Sequence, residues 1–366
     1  MTSRQPSSRS GSKPKANDLR RRLDQLDKEL IRLANERAKT FERWAKSDEG
    51  AIVEPTIDPA ELDKRLEGAK GPLTPQTLRT ILAAVESGSR ALVKRTRVAY
   101  LGPAYSYSHL AAAHHFGEAH ELIPSPTIAA VFDEVNRRHV SFGVVPIENS
   151  TDGRIADTLD MFVRLPVRIC GEVQLRIHHH LLSRSPRSEI VEIYSKAQAI
   201  SQCRTWLARH MPEARLIEMT STAAAAQIAA ERPGAAAIAS RQAGLQYGLE
   251  PIESNIEDNR SNTTRFAIIG QSSPARSRAD KTALMIELPH SPGALADAMA
   301  VFKGNRLNLT WIESFPMPGS ANEYLFFVEV EGHESNPKIE KALVALRRRT
   351  VRTVVLGSYP KSEPIE

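Results

Sequence analysis

The stretch NIEDNRSNTTRF, residues 255–266, concentrates side chains that can bind a polar small molecule or donate a proton to it. It holds two acidic residues, two Arg, three Asn, two Thr and a Ser within twelve positions. It then runs into AIIG, which has the composition of a buried strand. Hydroxyl, amide and guanidinium groups all donate hydrogen bonds. The sequence therefore predicts polar chemistry at the start of an apolar strand.

Similar polar residues occur at several other junctions between strand-like and helix-like segments. GPAYSYS follows VAYL, ENSTDG follows FGVVPI, KAQ follows VEIYS, and MTSTAA opens a helix. Ligands of open α/β sheets bind beyond the carboxyl ends of the strands. The free N–H groups and the dipole of a helix start favour an anion. We expect a small carboxylate ligand, although each Ser or Thr could instead serve only as a helix cap.

Several other classes of function lack their sequence signals. The chain has no Walker A or GxGxxG loop for a nucleotide. The HHH run at 178–180 is strand-like, so its rings cannot all converge on one metal ion. Cys170 and Cys203 are far apart, which suits a reducing compartment, and a net charge of +6 argues only weakly for nucleic acid. We expect a cytoplasmic protein with no cofactor, metal, nucleic-acid or membrane partner.

The elements that must position these residues fall into several units, since 366 residues exceed one ordinary core. Residues 1–16 read as a disordered tail, and 17–95 as an all-α helical domain. Because three helices make a small core, we expect the domain to pair with a second copy. Leucines in the first helix recur at spacings of four and three, which predicts a narrow packing seam. They are Leu19, Leu23, Leu26, Leu30 and Leu33.

The remainder of the chain has two further sequence patterns, separated by a linker. Residues 97–272 alternate short apolar strands with helices, which predicts an α/β domain with a largely parallel sheet. Residues 273–281 form a polar, basic linker. Residues 282–360 follow the order βαββαβ, which is that of an α+β ferredoxin-like domain.

The motifs YLGPAYSYSHLAA, GVVPIENSTDGRIADTLD, IYSKAQAISQC, STAAAA, NIEDN and NTTRF resemble those of prephenate dehydratases, in the same order. The resemblance covers about 97–272. It implies a two-lobed α/β fold similar to periplasmic binding proteins, with the active site between the lobes. Prephenate would lose CO₂ and its ring hydroxyl there to give phenylpyruvate. The third unit resembles an ACT regulatory domain and the first a helical chorismate mutase, as in the bifunctional protein of phenylalanine synthesis.

The resemblance also implies roles for particular residues. Thr264 would assist departure of the ring hydroxyl. Arg265 would anchor a substrate carboxylate with its planar fork, or else form a structural salt bridge with Glu257 or Asp258. Glu148 would be a second acid or would hold its loop. Six further positions match the substrate-binding side of the family: Ser106, Asn149, Ser150, Thr151, His179 and Asn262.

The ACT-like unit would bind phenylalanine, or would serve only to dimerise. The turn PGAL, with Gly293, Ala294 and Leu295, can receive an amino-acid carboxylate on backbone N–H groups. Glu313 would meet the ligand ammonium. Phe315 stands where the family often has Arg, which puts inhibitor affinity or signal transmission in question. The other matching positions are Asn308, Leu309 and Ser314.

The helical unit matches the mutase family only in part. Arg20 and Arg37 match two substrate-binding arginines, but 17 residues of helix separate them by roughly 25 Å. One must therefore come from each protomer of a homodimer or larger assembly. Asp48 stands in place of a family Lys and Val93 near a family Gln. We expect the fold to persist as a dimerisation unit that takes chorismate only if its activity is retained.

Two other classes of function remain open at this point. A non-catalytic amino-acid sensor would bind a carboxylate between its lobes without turnover. A nucleic-acid module would use the basic tail and the first helix, and it would bind DNA with a strong salt dependence. That second alternative gives NTTRF no role.

Overall fold

The computed structural model describes residues 16–47, 59–117, 119–317 and 324–365. The chain divides after Arg95 into two compact units, which are treated separately below. Asp48 and all but the last residue of the expected tail lie outside the described residues.

The first unit is helical throughout its regular structure. Thr74 caps the third helix by accepting a hydrogen bond from the Thr77 backbone N–H at 3.2 Å, and Pro75 follows at the first helical position. The five seam leucines are 44–61% exposed in the single chain. None of the described helices is both long and apolar enough to cross a membrane. The helices are α1 (Ala16–Ala45), α2 (Pro59–Leu66) and α3 (Pro75–Val93).

The second unit begins with a two-lobed α/β part. The elements of its first lobe are β1 (Arg97–Leu101), α4 (Tyr107–Phe116), β2 (Glu121–Ser125), α5 (Ile128–Asn136), β3 (Phe142–Asn149), β4 (Gly153–Arg154), α6 (Ala156–Arg164) and β5 (Arg168–Arg176). Those of its second lobe are β6 (His180–Ser183), β7 (Glu192–Lys196), α7 (Ala197–Gln202), α8 (Arg204–His210), β8 (Arg215–Met219), α9 (Thr222–Glu231), β9 (Ala235–Ala239), α10 (Arg241–Tyr247) and β10 (Glu250–Glu253). The chain then returns to the first lobe as β11 (Thr263–Gly270).

Each lobe has its own mixed sheet. The first has the order β5-β11-β3-β1-β2, with β4 on β3, and the second has the order β10-β6-β9-β7-β8. The expectation of a largely parallel arrangement is wrong, because β11 runs antiparallel to both β3 and β5, and β6 runs antiparallel to β9 and β10. The antiparallel strands follow from two crossings between the lobes, at 177–179 and 254–262.

The third part follows the order βαββαβ. Its four strands form an antiparallel sheet in the order β13-β14-β12-β15, which is the ferredoxin-like order. The first strand starts at Asp280, so the end of the expected linker already lies in the sheet. The elements are β12 (Asp280–Glu287), α11 (Ala294–Gly304), β13 (Leu309–Pro316), β14 (Tyr324–Glu331), α12 (Pro337–Arg347) and β15 (Arg352–Pro360).

The ferredoxin-like sheet packs directly on the first lobe. α11 and α12 cover one face, while Met285 and Phe327 on the other face share a core with Val145 and Ile269. The approach is close at Gly357, where a Cβ atom would lie 2.0 Å from the Ile169 carbonyl oxygen. Only glycine fits there.

The chain continues past the expected end of this part and rejoins the first lobe. β16 (Pro364–Ile365) pairs in parallel with β5 and extends the first sheet. Before it, the Ser362 backbone N–H donates to Glu172 Oε1 at 3.0 Å. We did not predict this strand, which is only two residues long.

Candidate active site

Thr264 and Asn149 form a polar pair across the neighbouring strands β11 and β3. Asn149 Nδ2 donates a hydrogen bond to Thr264 Oγ1 at 2.8 Å. The Thr264 oxygen therefore acts as an acceptor here, and its own O–H remains available to donate to another molecule.

The Asn149 side chain is fully engaged within the protein. Its Nδ2 also donates to Asn262 Oδ1 at 3.0 Å, and its Oδ1 accepts the backbone N–H groups of Thr151 and Asp152 at 3.0 and 3.1 Å. The residue is buried. The structure therefore places Asn149 where it orients the Thr264 side chain, and its predicted contact with substrate stays a prediction.

Asn262 also ties its surroundings together and offers little to a ligand. Its Oδ1 accepts hydrogen bonds from Ser150 Oγ and Thr151 Oγ1 at 3.4 and 3.2 Å, besides that from Asn149. Its Nδ2 donates to Gln202 Oε1 at 3.0 Å. Asn262 is buried, whereas Ser150 and Thr151 are exposed. Of the predicted binding residues in these two segments, only the exposed pair keeps access to a ligand.

Gln202, which we did not predict, joins the two lobes. Its Nε2 donates to Asp152 Oδ2 at 2.9 Å, and Gln198 on the same helix contacts the same carboxylate. Residues four apart share one face of a helix. The i, i+4 pair of glutamines in KAQAISQ was the available signal.

His179 lies inside this network and is closed off from solvent. Its Nε2 lies 3.0 Å from Gln202 Oε1, and its Nδ1 lies 3.1 Å from the Tyr107 hydroxyl. Burial lowers the pKa of His179, which favours a neutral ring. The geometry fits a packed, hydrogen-bonded residue, and the predicted contact of His179 with substrate stays a prediction.

Glu257 fastens the two crossings between the lobes to each other. Its carboxylate accepts the His179 backbone N–H at 2.9 Å and contacts His178 Nδ1 at 2.8 Å. The carboxylate is buried. Part of the polar crowding in 255–266 therefore serves this connection.

Ser106 caps α4, as its sequence position also allowed. Its Oγ accepts the His109 backbone N–H at 3.4 Å and donates to the Leu101 carbonyl at 3.1 Å. Ser221 caps α9 in the same way at 3.0 Å. The Ser106 hydroxyl is thus fully used within the protein, whereas the Ser221 O–H remains available to donate beside the backbone N–H groups at the start of α9.

Arg265, which we predicted as a substrate anchor, forms ion pairs within the protein. Its guanidinium donates to Glu148 at 2.8 Å, Glu329 at 2.6 Å and Glu172 at 3.1 Å. Burial lowers the pKa of Arg265, but Glu329 and Glu172 outweigh it, so the pKa is raised and the charge retained. The predicted salt bridge with Glu257 or Asp258 is wrong, because both terminal nitrogens of Arg265 pair with Glu148, Glu172 and Glu329 instead. Glu148 is likewise engaged and holds its strand.

The partners of Arg265 on other strands were missed in the sequence. Glu172, Lys281 and Glu329 are all buried, and Lys281 Nζ contacts both glutamates, at 2.8 and 3.6 Å. Charged residues are rarely buried unless they are paired. A charge at a core-facing position of an apolar strand, as in GEVQL and FFVEVEG, was the signal.

Among the residues that the structure describes, no three His, Cys, Asp or Glu side chains are grouped as metal ligands would be. Within the HHH run, His178 and His179 lie in the crossing between the lobes, and only His180 belongs to a strand. The expectation that all three lie in one strand is therefore corrected.

The ferredoxin-like part contains a cavity of about 150 Å³ at the start of α11. Gly293 opens this helix with a left-handed φ of 86°, a conformation that favours glycine. Ala294 and Leu295 line the cavity directly. The full lining is Leu288, Pro289, His290, Ser291, Ala294, Leu295, Tyr324 and Phe326.

The strand β13 divides the remaining predicted phenylalanine-binding residues between two faces. Ser314 lies opposite Phe326, on the cavity side, whereas Glu313 lies opposite Phe327, on the face towards the first lobe. Glu313 there forms an ion pair with Arg154. Glu313 therefore does not face this cavity, and its predicted contact with a ligand ammonium stays a prediction. Asn308 is exposed and Leu309 packs beneath the helices.

Phe315 takes an apolar place in the contact between the ferredoxin-like sheet and the first lobe. It is buried, and its ring meets that of Phe327 edge-on at 6.1 Å. The replacement of a charged family residue therefore supports packing at this position.

In the helical unit, Arg37 is engaged by α3. It forms an ion pair with buried Glu86 and donates to Ser89 Oγ at 3.0 Å. Arg65 contacts the same Glu86 carboxylate at 2.9 Å. Arg20 is exposed, far along the same helix as Arg37. The two predicted arginines do not meet within one chain.

Comparison with known proteins agrees with this geometry. Residues 98–274 match the family model described as prephenate dehydratase. A bifunctional chorismate mutase/prephenate dehydratase of Aquifex aeolicus is 39% identical, over 94% of this chain and 98% of its own length. The chain belongs to the prephenate dehydratase family. The resemblance seen in the sequence is confirmed, and the protein is an enzyme of the bifunctional type in its overall organisation.

Solved structures of related proteins resemble this chain over nearly three quarters of its length. A prephenate dehydratase from Arthrobacter aurescens in complex with L-Phe is 31% identical, with a TM-score of 0.67 over 72% of this chain and 90% of its own. A protein described as a novel type of quorum-quenching acylase is 28% identical, with a TM-score of 0.66 over 73% of this chain and 98% of its own. The fold alone therefore does not fix the reaction, and the site must carry that argument.

Proposed function

We propose that the enzyme converts prephenate to phenylpyruvate for phenylalanine synthesis, with the Thr264 hydroxyl as the group that assists C–O cleavage. The supporting observation is the direction of the Asn149–Thr264 hydrogen bond, which occupies the Thr264 oxygen as an acceptor. The O–H can then donate to the ring hydroxyl as it leaves.

The reaction needs little more than positioning and one donated hydrogen bond. The bond between the ring and its carboxylate breaks, CO₂ departs, and the electron pair enters the ring as the C–O bond breaks. The departing hydroxide takes up a proton and leaves as water. Aromatisation drives the step, so a Thr hydroxyl suffices as donor or relay. A positioned donor contributes about 10²–10⁴-fold.

Substrate contacts are assigned to groups that remain accessible. Ser150 and Thr151 lie exposed beside the network of Asn149 and Asn262. The carboxylates would meet the backbone N–H groups at the starts of α4 and α9, where the helix dipole favours an anion. Arg265 is reserved for the ion pairs already described.

The test is to supply the purified chain with prephenate and to follow phenylpyruvate by its absorbance in base. We expect product with the wild type and a large loss with Thr264→Ala. Prephenate binding without turnover would instead support the non-catalytic sensor. Equal product from Thr264→Ala would remove Thr264 from the mechanism.

We also propose that the ferredoxin-like part is an ACT domain that binds phenylalanine and inhibits the dehydratase. The cavity beside Ala294 and Leu295 supports this role, as does the L-Phe complex of the Arthrobacter aurescens relative. The Gly293 turn would hold the ligand carboxylate, and Ser314 borders the cavity side. Titration with L-phenylalanine, with and without prephenate, tests both binding and inhibition.

Chorismate mutase activity in the helical unit is a second candidate function. The full-length relatives with the bifunctional name favour it. Glu86, however, occupies Arg37 and Arg65 within the chain. Chorismate consumption that disappears in Arg37→Ala would establish this activity; absence of consumption in the wild type would leave the helices a dimerisation role.

The exposed leucine seam of α1 supports a homodimer, or a larger assembly, formed through the helical unit. We place this enzyme in the cytoplasm, in keeping with its membership of a family of biosynthetic enzymes. Sedimentation of the full chain, compared with Leu26→Glu, tests the assembly. We expect the substituted chain to sediment as a smaller species.

A further inference from the structure

A buried ion cluster joins the ferredoxin-like sheet to the strand that carries Thr264. We define it as Glu148, Glu172, Arg265, Lys281 and Glu329. Arg265 Nη2 lies 2.6 Å from Glu329 Oε1 on β14, and Lys281 on β12 contacts Glu172 on β5 at 2.8 Å. The cluster thus connects five strands of two sheets.

Neighbouring groups hold Glu329 in place from the ferredoxin-like side. The Tyr359 hydroxyl donates to Glu329 Oε1 at 2.8 Å. The Trp311 ring lies 5.7 Å from the Arg265 guanidinium carbon, within range of a cation–π contact. Burial alone would raise the pKa of Glu172. The positive charges of Lys281 and Arg265 outweigh burial, so the pKa lies below its usual range. This glutamate therefore stays ionised.

Stability alone gives a weak reason for such a cluster. Desolvation of buried charges offsets much of their attraction, and apolar residues of similar size often serve as well. The rest of this contact is indeed apolar, with Met285, Phe315 and Phe327 in the shared core. Ion pairs fix the direction of their partners, so a charged cluster within this apolar contact favours a role in orienting the strands that it joins.

The cluster borders the candidate catalytic pair on two strands. Arg265 follows Thr264 on β11, and Glu148 precedes Asn149 on β3. The strand pairing shifts register between Arg265 and Phe266. Such bulges bend a strand and re-aim side chains near active sites. The ion pairs of Arg265 can therefore determine the direction in which the neighbouring Thr264 side chain points.

We propose that Glu329 is a positioning residue for the dehydratase reaction and acts through Arg265 on Thr264. This inference rests on the proposed function of Thr264. It assigns to the ferredoxin-like sheet a direct part in basal catalysis, apart from any ligand in its cavity.

The experiment compares Glu329→Gln with Glu334→Gln in the full chain. Glu334 also pairs across the two sheets, with Arg168 at 2.6 Å, but Arg168 lies opposite Gly270 at the far end of β11. We expect Glu329→Gln to lower kcat at least about tenfold with KM nearly unchanged, as loss of a transition-state contact would. Glu334→Gln should keep wild-type kcat within about twofold.

The conservative variant Glu329→Asp separates positioning from folding. It keeps the charge, so it should recover part of the lost kcat, even if its thermal unfolding temperature is as low as that of Glu329→Gln. Should Glu329→Gln fail to fold, a kcat for folded Glu329→Asp equal to that of Glu334→Gln would overturn the inference. Equal kcat values for Glu329→Gln and Glu334→Gln in an active enzyme would also overturn it. An inactive wild type would overturn the proposed function as well.

Discussion

Asn149 donates a hydrogen bond to Thr264 across β3 and β11, and their neighbours Glu148 and Arg265 form an ion pair across the same two strands. Successive residues of a strand point to opposite faces. One face therefore presents the Thr264 hydroxyl, which we propose as the group for chemistry, while the other holds the strand against the ferredoxin-like sheet. Thr264 and Arg265 of the TTRF motif divide these two tasks.

Replacing the Asn149 amide should disable the Thr264 donor. In Asn149→Asp, the introduced carboxylate can only accept, so it would attract the Thr264 O–H away from the substrate. We expect kcat to fall by about 10²-fold or more. Steady-state kinetics with prephenate measure this. Asn336→Asp, the same change at the cap of α12, should leave kcat unaltered; an equal loss there would contradict the explanation.

Glu257 should make the stability of the two-lobed part depend on pH. Burial acts to raise its pKa, but hydrogen bonds from His178 and the His179 backbone N–H outweigh it, so the pKa lies below its ordinary value of 4.5. A lowered folded-state pKa contributes stability above about pH 4.5 that is lost as the pH falls through the folded pKa. We expect Glu257→Gln to be less stable than wild type at pH 7.

The measurement is the free energy of unfolding of wild type and Glu257→Gln between pH 7 and pH 3. The difference should be roughly 1.5–3 kcal/mol at neutral pH and should shrink in acid. Exposed Glu213→Gln serves as the control, with little effect at any pH. If the difference in unfolding free energy stayed constant or grew in acid, the pKa of Glu257 would not be lowered on folding.

Phe315 should tolerate no return to the charged residue common in the family. Phe315→Arg places a charge in the apolar contact with Phe327 and should cost roughly 3–5 kcal/mol of unfolding free energy. Ile312→Arg, on the opposite and exposed face of β13, should cost less than about 0.5 kcal/mol. Denaturant titrations compare the two variants. Similar costs would show that Phe315 is not packed as described.

Phenylalanine binding should depend on the cavity and little on Glu313. Ala294→Leu adds bulk to the cavity lining and should weaken binding by at least about tenfold. Glu313→Gln alters the opposite face of the sheet and should keep the dissociation constant within about threefold. Calorimetric titration with L-phenylalanine measures both. Loss of binding in Glu313→Gln but not in Ala294→Leu would show that Glu313 contacts the ligand.

Local sequence patterns predicted much of this structure. The remaining features depend on contacts between residues that are far apart in the sequence. The βαββαβ order was readable because period and turn signals are local. The motif around Thr264 was readable by resemblance. The contact between Arg265 and Glu329 was not predicted, because Glu329 lies 64 residues away, on another sheet. The sequence shows that an arginine can bind a carboxylate, but only the fold shows which carboxylates it contacts.

Irregular connections were the hardest part to anticipate. The antiparallel entry of β11 depends on where the chain crosses between lobes, which no local periodicity encodes. Gln202 became visible only when α7 was placed against Asn262 and Asp152. The face of β13 on which Glu313 lies could not be predicted, because a register shift between Leu309 and Trp311 interrupts the strand pairing.

The most direct measurement is the single-turnover rate of phenylpyruvate formation from bound prephenate in Thr264→Val and Thr264→Ser. Val keeps the shape of Thr without the hydroxyl, whereas Ser keeps the hydroxyl. We predict that Thr264→Val loses at least about 10²-fold in rate and that Thr264→Ser stays within about tenfold of wild type. Equal rates for the two variants would contradict the role of Thr264 as hydroxyl donor.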